Sequence, residues 1–509
     1  MFSVPFNVSA KNGKIFATHT DPALLPAPDV ELLFRGTNWA GMQSHGCPNH
    51  LTWHTFEQYL DRLVVDLEMN LVRLPLSAEW INGNMAANNY ICGEYRHMPT
   101  LSVLDDVLER LAARGVFVML DMHTLHSDRN FPLWCDPEPC DDASEQAIFA
   151  AWATLAQRYC SRPNVIMADL FNEPRTSWES WREAAQRLGD HVLSYCDRWL
   201  IVVEGTGCNS NHGCWWGEHV AGHVTQPVTL SVAERLVLSP HVYGHGGHAY
   251  FSHPSFPDNL PDVWGGHWGD VPALTETPLL LGEFGGHWDS CEWHEGVTGS
   301  MPEDCTEDAD TEAWHHALVA YLLNMGHSGF AYWTLNDNSF KTGGLMVNVS
   351  SNRRKWALLR QFPASTISSL EAFWREDVRS PLTPPTPPPP PSPPPCTARF
   401  ANCLSSQCCV DAGFSCHRRV GRQYAQCRPL SEPCVDSASW ICPCNWLPCP
   451  TPPSPPPPPP PPPLPPPTSL PTEMIPSPCP AHCKRASGSG RRRLLFSTVP
   501  TCPDGCAPT

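Results

Sequence analysis

Two stretches place a carboxylate where an apolar run stops. Asp169-Leu170-Phe171-Asn172-Glu173-Pro174 follows Val165-Ile166-Met167-Ala168, and Gly282-Glu283-Phe284-Gly285 follows Leu279-Leu280-Leu281. A buried strand ending in Asn-Glu-Pro puts an amide and a carboxylate at its tip, and the proline keeps the chain from continuing in the sheet. Alone, the tripeptide reads equally well as a turn with a solvated glutamate. Two glutamates at two strand ends fit a sharper chemistry. Glycoside hydrolysis needs one carboxyl to protonate the leaving oxygen and a second to attack or to activate water. Flanking groups must then hold the two pKa values apart. Other polar or aromatic residues stand at comparable points: Arg73, His123, Asn172, His241, Tyr243 and Trp333. Any one of them could be a satisfied core residue. Together with the glutamates they are hard to explain as packing, because buried polar groups are costly outside a network.

Such residues need a scaffold that delivers strand ends to one place. Between about residue 30 and 335, short apolar runs alternate with amphipathic segments. The spacing predicts strands over Leu32–Trp39, Leu71–Leu76, Val116–His123, Val165–Glu173, Leu200–Thr206, Leu236–Tyr243, Leu279–Phe284 and Gly329–Leu335. Helices are expected over Thr55–Met69, Leu101–Arg114, Ser144–Cys160, Glu179–Arg198 and Thr311–Met325. Thr100 and Ser144 suit N-caps, and Gly115 and Gly326 suit C-caps. Near-continuous apolar strands with helical connections imply parallel pairing buried on both faces, and eight units imply an α/β (β/α)8 TIM barrel. An open doubly wound sheet is the alternative, but no Gly-x-Gly-x-x-Gly turn follows the first strand.

With these motifs the sequence resembles the glycoside hydrolase family 5 cellulases. The matching segments are Phe34–Trp39, Leu71-Val72-Arg73-Leu74-Pro75, Leu120-Asp121-Met122-His123, Phe171–Pro174, Pro240-His241-Val242-Tyr243, Gly282–Gly285 and Tyr332-Trp333. The resemblance runs from about residue 5 to 375. It implies a retaining double displacement with Glu173 as acid/base and Glu283 as nucleophile. It also implies that Arg73 keeps Glu283 ionised, Tyr243 orients the same carboxylate, and Asn172 contacts the sugar 2-hydroxyl. His123 and His241 would line the subsite around the cleaved bond, with Trp333 beneath the sugar ring. The expected enzyme is a secreted endo-β-1,4-glucanase acting on cellulose-type β-glucan. A β-mannanase or mixed-linkage β-glucanase would use the same residues, and a non-catalytic wall-binding glycoprotein is the rival from another class.

Loop tryptophans are further candidates for stacking on sugars: Trp39, Trp80, Trp134, Trp215, Trp216, Trp264, Trp268 and Trp288, about half of them expected to be core. Asp121, His123, His126, His245 and His248 invite a metal reading. Zinc needs three or four converging ligands, and the resemblance gives His123 another task, so neither metal nor cofactor is expected. Cys135/Cys140, Cys208/Cys214 and Cys291/Cys305 suggest local disulfides, and Cys47/Cys92 a bridge between the first two loops.

Composition sets the context. The 509 residues include 58 Pro, 24 Cys and 20 Trp and carry a formal charge of −18. That charge argues against nucleic acid or an anionic membrane surface as partner. A neutral β-linked polysaccharide fits, bound by a monomer. Cysteines at this density imply an oxidising compartment, and the sequons at Asn7 and Asn348 agree with secretion. Met1–Ala10 has no charged segment leading into an apolar core, so a secretion signal is expected to be cleaved or missing from this sequence. The expected division is a catalytic barrel at 1–378, a polyproline linker at 379–395 and a Cys-rich module at 396–449. A second linker at 450–471 and a basic, Cys-containing tail at 472–509 complete it. The module's Cys408-Cys409, Cys416 and Gln423–Cys427 resemble the fungal-type cellulose-binding module, with Tyr424, Trp440 and Trp446 as stacking candidates. It departs from that pattern in its extra cysteines and in lacking a clear coplanar aromatic trio. A disulfide-knotted spacer is the alternative reading. The tracts also resemble hydroxyproline-rich wall glycoproteins.

Overall fold

The computed structural model describes residues 6–20, 28–127, 142–207, 215–244, 249–290, 306–336, 342, 344–346, 350–366, 409–410, 414–419, 425–429 and 440–441. A three-stranded antiparallel sheet comes first: β1 (Phe6–Lys11), β2 (Lys14–His19) and β3 (Val30–Glu31). The barrel strands follow as β4 (Phe34–Asn38), β5 (Leu71–Ser77), β6 (Phe117–Thr124), β7 (Val165–Asp169), β8 (Leu200–Glu204), β9 (Leu236–Ser239), β10 (His241–Tyr243), β11 (Leu281–Gly285) and β12 (Gly329–Tyr332). Every neighbouring pair is parallel, from β10–β11 through β12 and β4 round to β9. A parallel bridge from Leu238 to Leu279 closes the ring, giving the expected (β/α)8 barrel.

The sixth predicted strand is split into β9 and β10. Pro240 lies at the break and has no N–H to give the ladder, although its carbonyl still accepts from Gly282 N at 3.1 Å. The other strands end a few residues short of, or past, their expected limits. Helices occupy Thr100–Ala113, Asp142–Tyr159, Trp178–Tyr195 and Ala309–Met325. The segment expected as one helix from Thr55 is an α-helix over Phe56–Asp61 that widens into a π-turn over Arg62–Asp66. Thr55 closes a reciprocal capping box with Gln58. Thr100 and Ser144 lie inside their helices and do not cap them; Thr100 Oγ1 donates to the Met85 carbonyl instead. Gly326 is a left-handed C-cap, as expected.

Strand alternation divides the barrel into layers. Outward residues such as Val72, Leu74, Val118, Leu120, Ile201, Val203 and Phe284 join the helices in one large core. Phe34, Leu71, Phe117, Met119, Met167, Leu200, Val202 and Val237 form a second core that includes Phe6, Val8, Ala10, Ile15 and Ala17 of the N-terminal sheet. That sheet therefore packs against the apolar side chains at the strand starts. Two residues further along the same strands stand Arg73, Asp121, Asp169 and Glu204, all buried. The apolar layer leaves the polar layer only one way to face, toward the C-terminal rim.

Cys47–Cys92 joins the loops after β4 and β5, as anticipated, while Cys160–Cys196 ties the ends of two neighbouring helices and was not foreseen. The other three barrel pairings fall outside the described residues. In the Cys-rich segment, strands Phe414–Arg419, Ala425–Pro429 and Trp440–Ile441 make a small antiparallel sheet, and Cys409–Cys427 is bridged. Tyr424, Trp446, both proline tracts and the tail lie outside the described residues.

Candidate active site

Arg73, on β5, is wholly buried and every branch of its guanidinium is used. Nε donates to Asp169 Oδ2 at 2.7 Å; Nη1 donates to Glu283 Oε1 at 2.6 Å and Asn38 Oδ1 at 2.9 Å. Nη2 reaches Glu204 Oε1 at 2.7 Å, Asn172 Oδ1 at 3.0 Å and Asp121 Oδ2 at 3.0 Å. A planar fork with fixed donors is what this many acceptors around one point require, and lysine could not supply it. Arg73 is thus the hub that joins the ends of β4, β5, β6, β7, β8 and β11.

Glu283 receives the strongest support. Besides Arg73, the Tyr243 hydroxyl donates to its Oε2 at 2.5 Å, and His241 Nδ1 lies 3.6 Å from that oxygen. Burial alone would raise its pKa. The charges of His241, Arg73 and His123, with the Tyr243 hydrogen bond, outweigh burial and hold the carboxyl below its usual value. Glu173 is placed differently. Its Oε1 accepts from Trp215 Nε1 at 2.9 Å and faces His241 Nδ1 at 3.2 Å. Burial, reinforced by the negative charge of Glu283, pushes its pKa up despite the His241 contact. One oxygen of Glu173, one ring nitrogen of His241 and one oxygen of Glu283 lie within 4.8 Å of one another.

The remaining expected residues converge on the same rim. His123 Nδ1 contacts Asp121 Oδ2 at 2.7 Å, and the His123 ring stacks on Trp333 with centroids 5.4 Å apart and planes 13° apart. Opposed by burial, Asp121 raises the His123 pKa. His241 is also raised, well above its ordinary value: burial opposes protonation, but Glu204 and Glu283 overcome it. Trp215 arrives on a turn through Gly217, whose φ of 85° favours glycine and where a Cβ would lie a tight 3.2–3.3 Å from His241 and Glu173. Glu218 anchors that turn by accepting from Trp215 N at 3.0 Å and contacting His267 Nδ1 at 2.7 Å.

Trp39 needs correction as a substrate-binding residue. It is fully buried against Phe56 and Tyr59, at centroid distances of 4.8 and 5.0 Å, so neither ring face is open to a sugar. Trp264, Trp268 and Trp288 are likewise core, whereas Trp216 is 42% exposed. Trp134 lies outside the described residues, as do His245 and His248 of the metal reading. The side chain of Trp440 is not described. Asp121, Asp169 and Glu204 also bring oxygens within 4.8 Å of one another, but the Arg73 guanidinium already supplies the cation among them. Asn38, Asp169 and Glu204 were not singled out as site residues from the sequence, and Asp121 entered only through the metal reading. Asp169 and Glu204 carried a signal, each being the lone polar residue that closes an apolar strand; Asn38, in a strand with Arg35 and Thr37, did not stand out.

Two carboxyls whose pKa values are shifted in opposite directions on one barrel rim suit acetal hydrolysis, and this fold and site define the (β/α)8 glycoside hydrolases. Within that class the chain belongs to the cellulase family, glycosyl hydrolase family 5, whose sequence profile matches residues 31–339. It is 34% identical over 360 residues to an endoglucanase of Paenibacillus polymyxa, covering 66% of this chain and 84% of that one. It is 31% identical over 353 residues to the major extracellular endoglucanase of Xanthomonas campestris, covering 66% and 67%. Among solved structures, the catalytic domain of the major Xanthomonas campestris endoglucanase superposes with a TM-score of 0.58 at 29% identity, over 69% of this chain and 98% of that one. A cellotetraose complex of the Pyrococcus horikoshii endocellulase gives 0.59 at 25% identity, over 71% and 99%.

Proposed function

We propose that this family 5 hydrolase is a secreted, retaining endo-β-1,4-glucanase that cuts cellulose-type β-glucan by double displacement. Glu283 attacks the anomeric carbon while Glu173 donates its proton to the departing glycosidic oxygen. Glu173, now ionised, then takes a proton from a water whose oxygen bonds to the anomeric carbon as the bond to Glu283 breaks, releasing the sugar and restoring both carboxyls. Arg73 and Tyr243 keep Glu283 ionised and aimed. Asn172 meets the sugar 2-hydroxyl, His123 and His241 flank the scissile bond, and Trp333 lies under the ring.

One observation carries this reading. The two carboxyls approach to within 4.8 Å at their nearest oxygens, which suits the roughly 5–5.5 Å of retaining sites better than the 6.5–9.5 Å that leaves room for a water. Their opposed pKa shifts match a proton donor beside an anionic nucleophile. The endoglucanase names of the relatives favour internal β-glucan cleavage. Secretion is supported by the disulfides and by the extracellular relative. Among the described residues no helix is long and apolar enough to cross a membrane. The Cys-rich module is read as a cellulose-binding appendage on a polyproline tether.

The test is hydrolysis of carboxymethylcellulose, glucomannan and barley glucan by the wild type, Glu173→Ala and Glu283→Ala. Carboxymethylcellulose should be cut with a rapid fall in viscosity, and both variants should be nearly inactive. Preference for glucomannan would move the substrate to mannan, and full activity in Glu283→Ala would overturn the mechanism.

A further inference from the structure

Glu204 ends β8 fully buried, with both carboxyl oxygens engaged. Oε1 accepts from Arg73 Nη2 at 2.7 Å. Oε2 accepts the backbone N–H of Glu173 at 2.7 Å and lies 3.3 Å from His241 Nε2. The other nitrogen of that ring, Nδ1, faces Glu173 Oε1 at 3.2 Å. One carboxyl therefore bonds Glu173 directly at the main chain and, by an ion-pair contact with the His241 ring, bears on its side chain as well.

The main-chain hold has a specific use. Glu173 has φ of 44°, in the left-handed region, which a residue with a side chain adopts only when its surroundings impose it. This conformation follows immediately on Asn172, whose side chain is fixed by Arg73. The chain must turn sharply between two residues that meet the same sugar. Glu204 Oε2 is the acceptor that the Glu173 N–H uses at this turn, beside the Asn172 N–H bond to the Met122 carbonyl at 3.1 Å one residue earlier.

We propose that Glu204 is a positioning residue for proton transfer, aiming the Glu173 carboxyl at the glycosidic oxygen through the Glu173 N–H and through His241. The inference rests on the reading of Glu173 as acid/base. Glu204 touches no reacting atom, so its loss should appear only where the substrate needs a proton. A sugar leaving group with an alcohol-like pKa needs one. A 2,4-dinitrophenolate leaves without it. The quantity to compare is kcat/KM, which reports the first bond cleavage for both substrates.

The experiment measures kcat/KM of the full chain on cellotetraose and on 2,4-dinitrophenyl β-cellobioside for the wild type, Glu204→Gln, Glu204→Asp and Glu173→Gln. For Glu204→Gln a loss of about 100-fold is expected on cellotetraose, at the lower end of what general acid catalysis contributes, with less than about threefold on the aryl glycoside. Glu204→Asp keeps the charge but withdraws the oxygens by one methylene; a smaller loss with the same split between substrates is expected. It also decides the case if Glu204→Gln does not fold. Equal losses on both substrates, or no loss on either, would overturn the proposal. Glu173→Gln separates the two levels of argument. A split there with none in the Glu204 variants removes Glu204 alone, whereas wild-type activity in Glu173→Gln removes the acid/base assignment itself.

Discussion

Tyr243→Phe deletes one oxygen and leaves the ring, so it isolates the 2.5 Å hydrogen bond to Glu283 Oε2. The ring should keep its packing on Trp215, with centroids 5.0 Å apart. A hydrogen bond to a charged acceptor is worth about 1.5–3 kcal/mol net. At 1.36 kcal/mol per pKa unit, its loss raises the Glu283 carboxyl by about 1–2 units. The direction follows from the site: the bond favours the anion and is one of the influences that hold Glu283 low against burial. In the proposed mechanism Glu283 attacks only as the anion. The acid limb of kcat/KM on a soluble cello-oligosaccharide should therefore move up by about 1–2 pH units, with a 10- to 100-fold loss below the wild-type limb. The basic limb, set by proton loss from Glu173, should stay in place. Stability shifts in the same sense. A depressed carboxyl pKa stabilises the fold above its unfolded value of 4.5 and loses that contribution as pH falls through the folded value. The variant should give up part of that contribution at neutral pH. A loss that is uniform in pH, with both limbs unmoved, would show that the hydroxyl does not govern the ionisation of Glu283.

Two further outcomes concern the scaffold and the appendage. Cys47–Cys92 and Cys160–Cys196 close loops of 45 and 36 residues, worth at most about 4 kcal/mol each in chain entropy. Thermal melts of the Cys47→Ser/Cys92→Ser and Cys160→Ser/Cys196→Ser double variants should show a clearly lower midpoint, and an unchanged midpoint would mean that packing alone holds those junctions. For the Cys-rich segment, the full chain should sediment with microcrystalline cellulose and a chain ending at residue 378 should do so less, because tethering raises the local concentration at the surface. Equal sedimentation would favour the spacer reading.

How much of this was legible follows from what each residue does. Eight apolar runs with periodic helices between them are a local signal, and each strand formed where its run lies. The break at Pro240 was legible too, since proline withholds a ladder donor, but the apolar run continues across it. The N-terminal sheet was missed because its alternation over Phe6–His19 says nothing about which surface it covers; only the apolar strand starts of the barrel show that. Glu173 and Glu283 could be paired because both sit where strands end. Glu204 could not be separated from a solvated strand-end acid, since its three contacts come from β5, the turn after β7, and β10. Trp39 went the other way: an aromatic just past β4 suits a cleft, and only the positions of Phe56 and Tyr59 put it inside.

The charge in the site explains why the Glu173 pKa is raised while that of Glu283 is lowered. Five carboxyls, those of Asp121, Asp169, Glu173, Glu204 and Glu283, face one permanent cation, Arg73, and two histidines whose pKa values are raised, His123 and His241. Fully ionised, the group would carry two uncompensated negative charges in a volume with little water. At an effective dielectric near 20, like charges about 4 Å apart repel by about 4 kcal/mol, a penalty that works with burial to raise carboxyl pKa values. Burial pushes Asp121, Asp169 and Glu173 upward, and Glu204 to about 7. Glu283 alone of the five is drawn down, because Arg73, His241 and the Tyr243 hydroxyl all converge on it. Glu173 has an indole N–H and a shared imidazole, and no guanidinium. The asymmetry of the pair is therefore a property of the whole cluster: Glu283 has direct bonds from Arg73 and the Tyr243 hydroxyl, whereas Glu173 shares His241 with Glu204 and Glu283, whose negative charges raise its pKa.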